Sequence, residues 1–408
     1  MSAATRPDDA SAHQTVSRSL TLVLAAACGL IVANIYYAQP LAGPISAAIG
    51  LPIAAAGLIV TMTQIGYGVA LLLVVPAGDL VENRRLIVTT IVVGAIALLG
   101  AALSNRPLPF LTAAFGIGLG SVAVQIMVPY AAHLAPESTR GRVVGNVSGG
   151  LMLGVMLARP VASFVTEVSS WHVVFVLSAI GMAALAVVLG RTLPRRAPAS
   201  NLRYAELLTS MWRLARTTPV LQWRAFYQAC LFAAFSLFWT TTPLLLAGPD
   251  FRLSQAGIGL FALAGVAGAV AAPIAGRTAD RGWTGPATAL AMLCVALAFL
   301  LTHIAQVGSG LALALLVAAA ILLDFGVQGN VVLGYRAIFA LDAENRGRLH
   351  GLYMSAFFAA GAAGSALGGW AYARGGWTLA SWIGFALPVA ALLGYAGRRG
   401  YEPGPPGE

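Results

Sequence analysis

The sequence contains no lysine, and all 24 of its basic residues are arginine. Charge is scarce altogether, because Asp, Glu, Lys and Arg make up 9% of the chain, where an ordinary soluble domain carries about a quarter. So little charge excludes water as the solvent for most of the molecular surface. Cysteine is nearly absent too. Cys28, Cys230 and Cys294 lie singly in apolar stretches with no CxxC or Cys/His spacing, which excludes a disulfide framework and a zinc site. No GxSxG, HExxH or Walker sequence occurs, and the five histidines are scattered. Catalysis, a bound cofactor and a nucleotide-driven pump are therefore not expected. Nor does the net charge of +10 indicate nucleic acid, since the arginines sit in short gaps between apolar runs rather than on one soluble face.

What is abundant is apolar sequence. Hydrophobic residues are 59% of the chain and the mean hydropathy is +0.82. A helix rising about 1.5 Å per residue needs about 20 residues to cross a hydrocarbon core. Windows of that kind predict helices at 20–41, 55–77, 86–104, 108–130, 143–166 and 170–190, and again at 222–246, 255–275, 286–304, 308–333, 348–372 and 377–396. The expectation is an all-α polytopic membrane protein of twelve transmembrane helices, embedded in a lipid bilayer. It divides into a tail at 1–19, a six-helix half at 20–190, a central loop at 191–221, a second half at 222–396 and a tail at 397–408. Within the loop, Leu202, Ala205, Leu208, Met211, Trp212 and Ala215 fall on one helical side, with Arg203, Glu206, Arg213 and Arg216 largely elsewhere. That pattern predicts a helix lying on the membrane surface.

Arginine also orients the chain. Alternate gaps hold nearly all of it, at Arg84 and Arg85, Arg140 and Arg142, Arg191 to Arg216, Arg277 and Arg281, and Arg336 to Arg348, whereas the other gaps hold only Arg106, Arg252 and Arg374. Positive loops resist translocation, so both termini are expected in the cytoplasm.

An internal repeat ties the halves together. Arg140, Gly141, Arg142, Gly145 and Trp171 recur as Arg346, Gly347, Arg348, Gly351 and Trp377, each displaced by 206 residues. Gly78 and Glu82 recur as Gly276 and Asp280, displaced by 198. Constant spacing at matching topological positions marks two parallel six-helix repeats. A cavity between such repeats, opened to either side in turn, is their natural use.

With these features in hand, the chain resembles the major facilitator superfamily over nearly its whole length. The loop after the second helix in that family reads roughly Gly-x-Leu-Ala-Asp-Arg-x-Gly-Arg. Here Gly78, Asp79, Glu82, Arg84 and Arg85 form a degraded copy, and Gly276, Arg277, Asp280 and Arg281 a good one. The resemblance implies a cytoplasmic latch in each half, an acidic residue facing arginines or a helix end. Efflux members carry a Gly-rich fifth helix. Gly145, Gly154, Ala158, Ala162 and Ser163 keep its small-residue spacing, while Arg159 stands where the family has proline, and this face is expected to pack on the other half. The segments Asn34 to Pro40, Val128 to Leu134 and Leu323 to Gln328 are similar to the bacterial drug and metabolite exporter branch, which includes purine nucleoside, arabinose-type sugar and multidrug exporters. The arginine of the fourth helix used by many proton antiporters is missing from Leu111 to Gly116.

Charged groups deep in the hydrocarbon need a reason. Only Arg159 and Asp324 sit well inside predicted spans, about 10 Å apart in depth. Asp324 is the candidate proton site or, alternatively, a structural carboxylate bonded to helix ends or backbone, and Arg159 is its partner, a clamp for an anionic substrate group or a packing anchor between the halves. Candidate cavity residues are Asn34, Tyr37, Gln39, Gln64, Tyr67, Gln125, Gln228, Trp239, Gln328 and Asn330. Amides and rings of this kind suit a neutral or weakly charged amphipathic solute. The expected function is a monomeric secondary transporter in a bacterial inner membrane, exporting a small drug-like or metabolite molecule in exchange for protons. The alternatives are an importer or uniporter of a sugar or nucleoside, or a membrane enzyme or scaffold that transports nothing.

Overall fold

In a computed structural model of the chain, residues 18–195, 203–342 and 345–397 are described, and the regular structure among them is helical throughout. Residues 1–17 and 398–408 of the expected tails, with Arg6, Arg398 and Arg399, and residues 196–202 of the central loop, with Leu202, lie outside the described residues, as does the side chain of Asp79.

Among the described residues, ten helices are each long and apolar enough to cross a membrane. An eleventh span is the pair Arg18–Ala33 and Ala38–Ile49, bent by 41°. The sequence windows predict one straight helix there ending near residue 41. Pro40 explains the difference, because it has no N–H to return to the carbonyl of Tyr36, and the chain instead makes a turn over 34–37. The break turns Asn34, Tyr36, Tyr37 and Gln39 into the protein interior, where all four are buried.

The twelfth span is hidden in the 51-residue helix Arg346–Ala396. A straight helix of that length would run about 76 Å, more than twice the hydrocarbon thickness. Gly375 and Gly376 interrupt it, the latter at φ 60°, a conformation that glycine adopts without steric cost. In chain order the spans are thus the bent first pair, Ile53–Gly78, Asn83–Ala102, Pro107–Leu134, Glu137–Val168, Trp171–Thr192, Pro219–Ala247, Gln255–Asp280, Thr284–Leu301, Gly310–Phe339, and 346–374 and 377–396.

Within the first half, the first span packs on the fifth, the third on the fourth and sixth, and the second on the fourth. Within the second half, the seventh packs on the eleventh, and the tenth on the eighth and ninth. The halves meet along three seams, second span to eleventh, fifth to eighth, and first to seventh. The small-residue face of the fifth span serves two neighbours. Gly150 and Gly154 sit against the backbone of Ala25 and Gly29 in the same half, while Ser163 packs on Gly259 of the other half. The expectation that this face packs on the other half therefore holds toward Arg159 and Ser163 and not at Gly150 and Gly154.

The seams are tight at the end of the bundle that carries few arginines. There Thr61 donates to Ala362 O at 2.9 Å, and the amide of Ala256 donates to Glu167 Oε2 at 2.9 Å. Gly57 lies so close to the eleventh span that an added Cβ would fall 2.0 Å from Ser365 O, a backbone atom that cannot turn aside. Gly57→Ala should therefore push the second and eleventh spans apart at this end. The check is a cysteine at Ser365, fully buried here. It should resist a membrane-impermeant maleimide in the otherwise native chain and react with it when Gly57 is alanine.

Candidate functional site

At the arginine-rich end the halves separate around a cavity of about 520 Å³. Each half supplies ten of its lining residues. From the first half come Tyr36, Tyr67, Gln125, Ser148 and Met152, and from the second Gln328, Tyr335, Arg346, His350 and Phe358. Pro129 lies in its wall, inside the fourth span, so that helix is weakened where it faces the cavity.

Beside the inner part of this cavity lies a smaller space of about 20 Å³, bordered by Arg159 and Asp324. Met152, Val155 and Gln328 line both. Arg159 and Asp324 are each 3% exposed. They make no direct ion pair among the described residues, and Trp239 stands between them. The guanidinium carbon of Arg159 lies 4.4 Å from the centre of a Trp239 ring, and the indole N–H donates to Asp324 Oδ1 at 3.2 Å. Tyr36 and Phe235 flank the same guanidinium at 5.1 Å each, and its Nε donates to Gln39 Oε1 at 2.6 Å. A desolvated cation–π contact of this type contributes about 2 kcal/mol. The eighth span tightens to a 3₁₀ turn over Leu263–Ala267 next to the carboxylate. Gly265 and Gly268 make the approach possible, since a Cβ on Gly265 would sit 2.7 Å from Asp324 Oδ2. Arg159 and Gln39 come from one half and Trp239 and Asp324 from the other, so a chain of polar contacts crosses the seam. Arg159 Nη2 and Asp324 Oδ2 are buried and have no hydrogen-bond partner among the described residues.

The other sequence candidates divide between cavity and packing. Tyr67, Gln125 and Gln328 line the large cavity. Gln64 does not, because it donates to Ser236 at 2.8 Å across the second and seventh spans. Gln228 and Asn330 bind each other at 2.7 Å and are fully enclosed. Asn34 accepts from Ser178. Tyr37 faces a separate hollow of about 160 Å³ with Leu30, Val161 and Leu177. Buried amides find partners wherever a neighbouring helix offers one, and most of these found theirs within the bundle.

The two latch loops also differ. Glu82 pairs with Arg85 three residues along, at 3.5 Å, and Arg84 reaches Leu193 O at 3.4 Å. In the second half Asp280 pairs with Arg336 of the tenth span at 2.5 Å. Both Asp280 and Arg336 are about half exposed, so their attraction is screened and worth under about 1 kcal/mol. Gly276 has open space around it. The surface helix Tyr204–Thr217 touches the first-half loop, with Tyr204 donating to Leu73 O at 2.6 Å and Leu207 and Met211 buried beneath it.

Most of the lining residues are not among the sequence candidates, and His350 is the one of them that bonds across the cavity. His350 on the eleventh span approaches Gln125 Oε1 at 3.1 Å, and Gln125 Nε2 donates to Tyr67 at 2.8 Å, giving a further polar contact between halves, this one in the cavity wall. The imidazole also packs on Tyr335 and Phe339, with ring centres 5.2 and 6.0 Å away. The signal available in the sequence is its position one turn after Arg346, on the same helical face.

The chain matches the family model described as Major Facilitator Superfamily over residues 22–340. It is 38% identical over 381 residues to an uncharacterized transporter of Escherichia coli O157:H7, YgaY, covering 93% of this chain and 96% of that one. The chain belongs to the major facilitator superfamily. A probable transporter of Streptomyces coelicolor, SCO4007, is 33% identical over 370 residues, 88% of this chain and 83% of its own. Among solved structures, a mutant form of the nucleoside transporter NupG superposes with a TM-score of 0.73 at 14% identity, over 93% of this chain and 99% of that one. A partially occluded inward-open form of the xylose transporter XylE from Escherichia coli gives 0.72 at 15% identity, over 94% and 99%. At such identities the likeness concerns the fold, which is the twelve-span, two-repeat fold expected from the sequence. The protein is a multi-pass membrane transporter of small solutes and not an enzyme.

Proposed function

We propose that this transporter works by proton-coupled alternating access and exports its solute. The observation that carries the reading is the placement of the Arg159, Trp239 and Asp324 contacts across the seam, directly beside a cavity built equally by the two halves. Asp324 holds its half to Arg159 of the other through one aromatic ring. A proton taken up by the carboxylate cancels its charge and loosens that hold, so proton binding and the opening of the seam are linked. The arginine bias of the loops supports placing the cavity mouth and both termini in the cytoplasm, and the membrane as a bacterial inner membrane. On that orientation the cavity loads from the cytoplasm, as an exporter requires. The helix Tyr204–Thr217 then lies at the cytoplasmic membrane surface, with the exposed Trp212 toward lipid headgroups. The protein acts as a monomer, since each chain contains both halves of the cavity.

The test is solute flux in proteoliposomes, with the solute drawn from a ligand screen on the purified protein. An imposed proton gradient, acidic outside the cytoplasmic face, should drive the solute up its own gradient toward the acidic side. Flux that equilibrates the solute at the same level with or without the gradient overturns proton coupling.

A further inference from the structure

Among the described residues, no side chain lining the large cavity is an aspartate or glutamate. The one permanent charge among the described lining residues is positive. Arg346 stands at the mouth, where its Nε donates to Phe339 O at 3.1 Å. Asp324 borders the adjoining smaller space and is already faced by Arg159 through Trp239. A cation entering the large cavity would leave water without a matching negative charge.

The second half contributes a flat aromatic wall. Tyr335 and Phe339, one helical turn apart on the tenth span, lie parallel within 3° at 5.5 Å, and the His350 ring leans against both. The first half supplies the rings of Tyr36 and Tyr67 and aliphatic side chains, among them Val128 and Leu151. A slot lined by aromatic rings and aliphatic side chains accepts a planar ring system and gains ring contacts with it.

We infer that the transported solute is a planar aromatic compound bearing no positive charge, bound against Tyr335 and Phe339. This rests on the large cavity being the transport site, and the experiment separates the two ideas. Binding to the purified full-length protein is measured by titration calorimetry for naphthalene carboxamide, naphthoate and naphthylmethylammonium, matched in ring and different in charge. The carboxamide and the carboxylate should bind, and the ammonium roughly tenfold or more weakly. Phe339→Leu should weaken the carboxamide about fivefold through lost stacking. Ser148→Asp places a carboxylate in a wall position that is already polar and should strengthen the ammonium relative to the other two. If the ammonium binds the native protein as tightly as its neutral partner, or Ser148→Asp leaves the order unchanged while Phe339→Leu weakens all three, the charge preference is wrong and the cavity still stands as the site. If none of the three binds, or neither substitution alters binding, the cavity is not the transport site and both ideas fall.

Discussion

Asparagine in place of Asp324 should abolish proton-driven solute accumulation while leaving the protein folded. The substitution keeps an oxygen that accepts from the Trp239 indole at the same position, so the hydrogen bond of 3.2 Å survives. What disappears is the negative charge that draws the second half toward Arg159. The expected loss of stability is smaller than for removing Arg159, because the guanidinium left behind keeps Gln39 and the rings of Tyr36, Phe235 and Trp239 around it. Transport down a solute gradient should continue, because the cavity and its lining are untouched. Accumulation against a gradient should fall to background, and the balance between cavity-open and cavity-closed forms should no longer respond to pH. A variant that still concentrates solute in response to the proton gradient would remove Asp324 from the coupling scheme.

Methionine in place of Arg159 should have the largest effect on stability. It deletes the cation held between Tyr36, Phe235 and Trp239, and it leaves Gln39 Oε1 without its donor and Asp324 without the opposing charge. Removing one member of a buried charge pair costs about 3–5 kcal/mol, chiefly because the other is left uncompensated. Adding Asp324→Asn should recover part of that, since the stranded charge is then gone as well. A coupling of about 1–3 kcal/mol between the two sites, read from a double-mutant cycle in detergent, is the expected result. Strictly additive losses would mean that the two charges do not sense one another across Trp239.

The parts of this architecture that repeat were legible in the sequence, and the parts that depend on distant partners were not. Apolar windows and the displaced Arg-Gly-Arg pairs gave the twelve spans and their duplication, because hydrocarbon thickness and gene-level repetition both leave periodic marks. The bend at Pro40 and the break at Gly375 and Gly376 are local events, signalled by single residues whose weight a window averages away. Arg159 and Asp324 stood out as charges inside apolar runs. Their connection through Trp239 could not be read, since three spans from two halves must first be assembled. Gln64, Gln228 and Asn330 show the opposite limit. Each looked available for a solute, yet each is bonded to a side chain 100 residues or more away. His350 was overlooked because it falls in the first turn of its span, where loop and helix compositions blend.

Alternation between two ends is the central claim, and distances between spin labels test it most directly. One label pair joins Arg142 and Leu341 at the arginine-rich end, and another joins Val168 and Leu311 at the opposite end. All four positions are exposed and each pair spans the two halves. When pH is shifted in the native protein, the first distance should shorten as the second lengthens, and the Asp324→Asn variant should show neither change. Distances that stay fixed at both ends, or that grow and shrink together, would contradict a rocking motion of the two halves about the Arg159, Trp239 and Asp324 contacts.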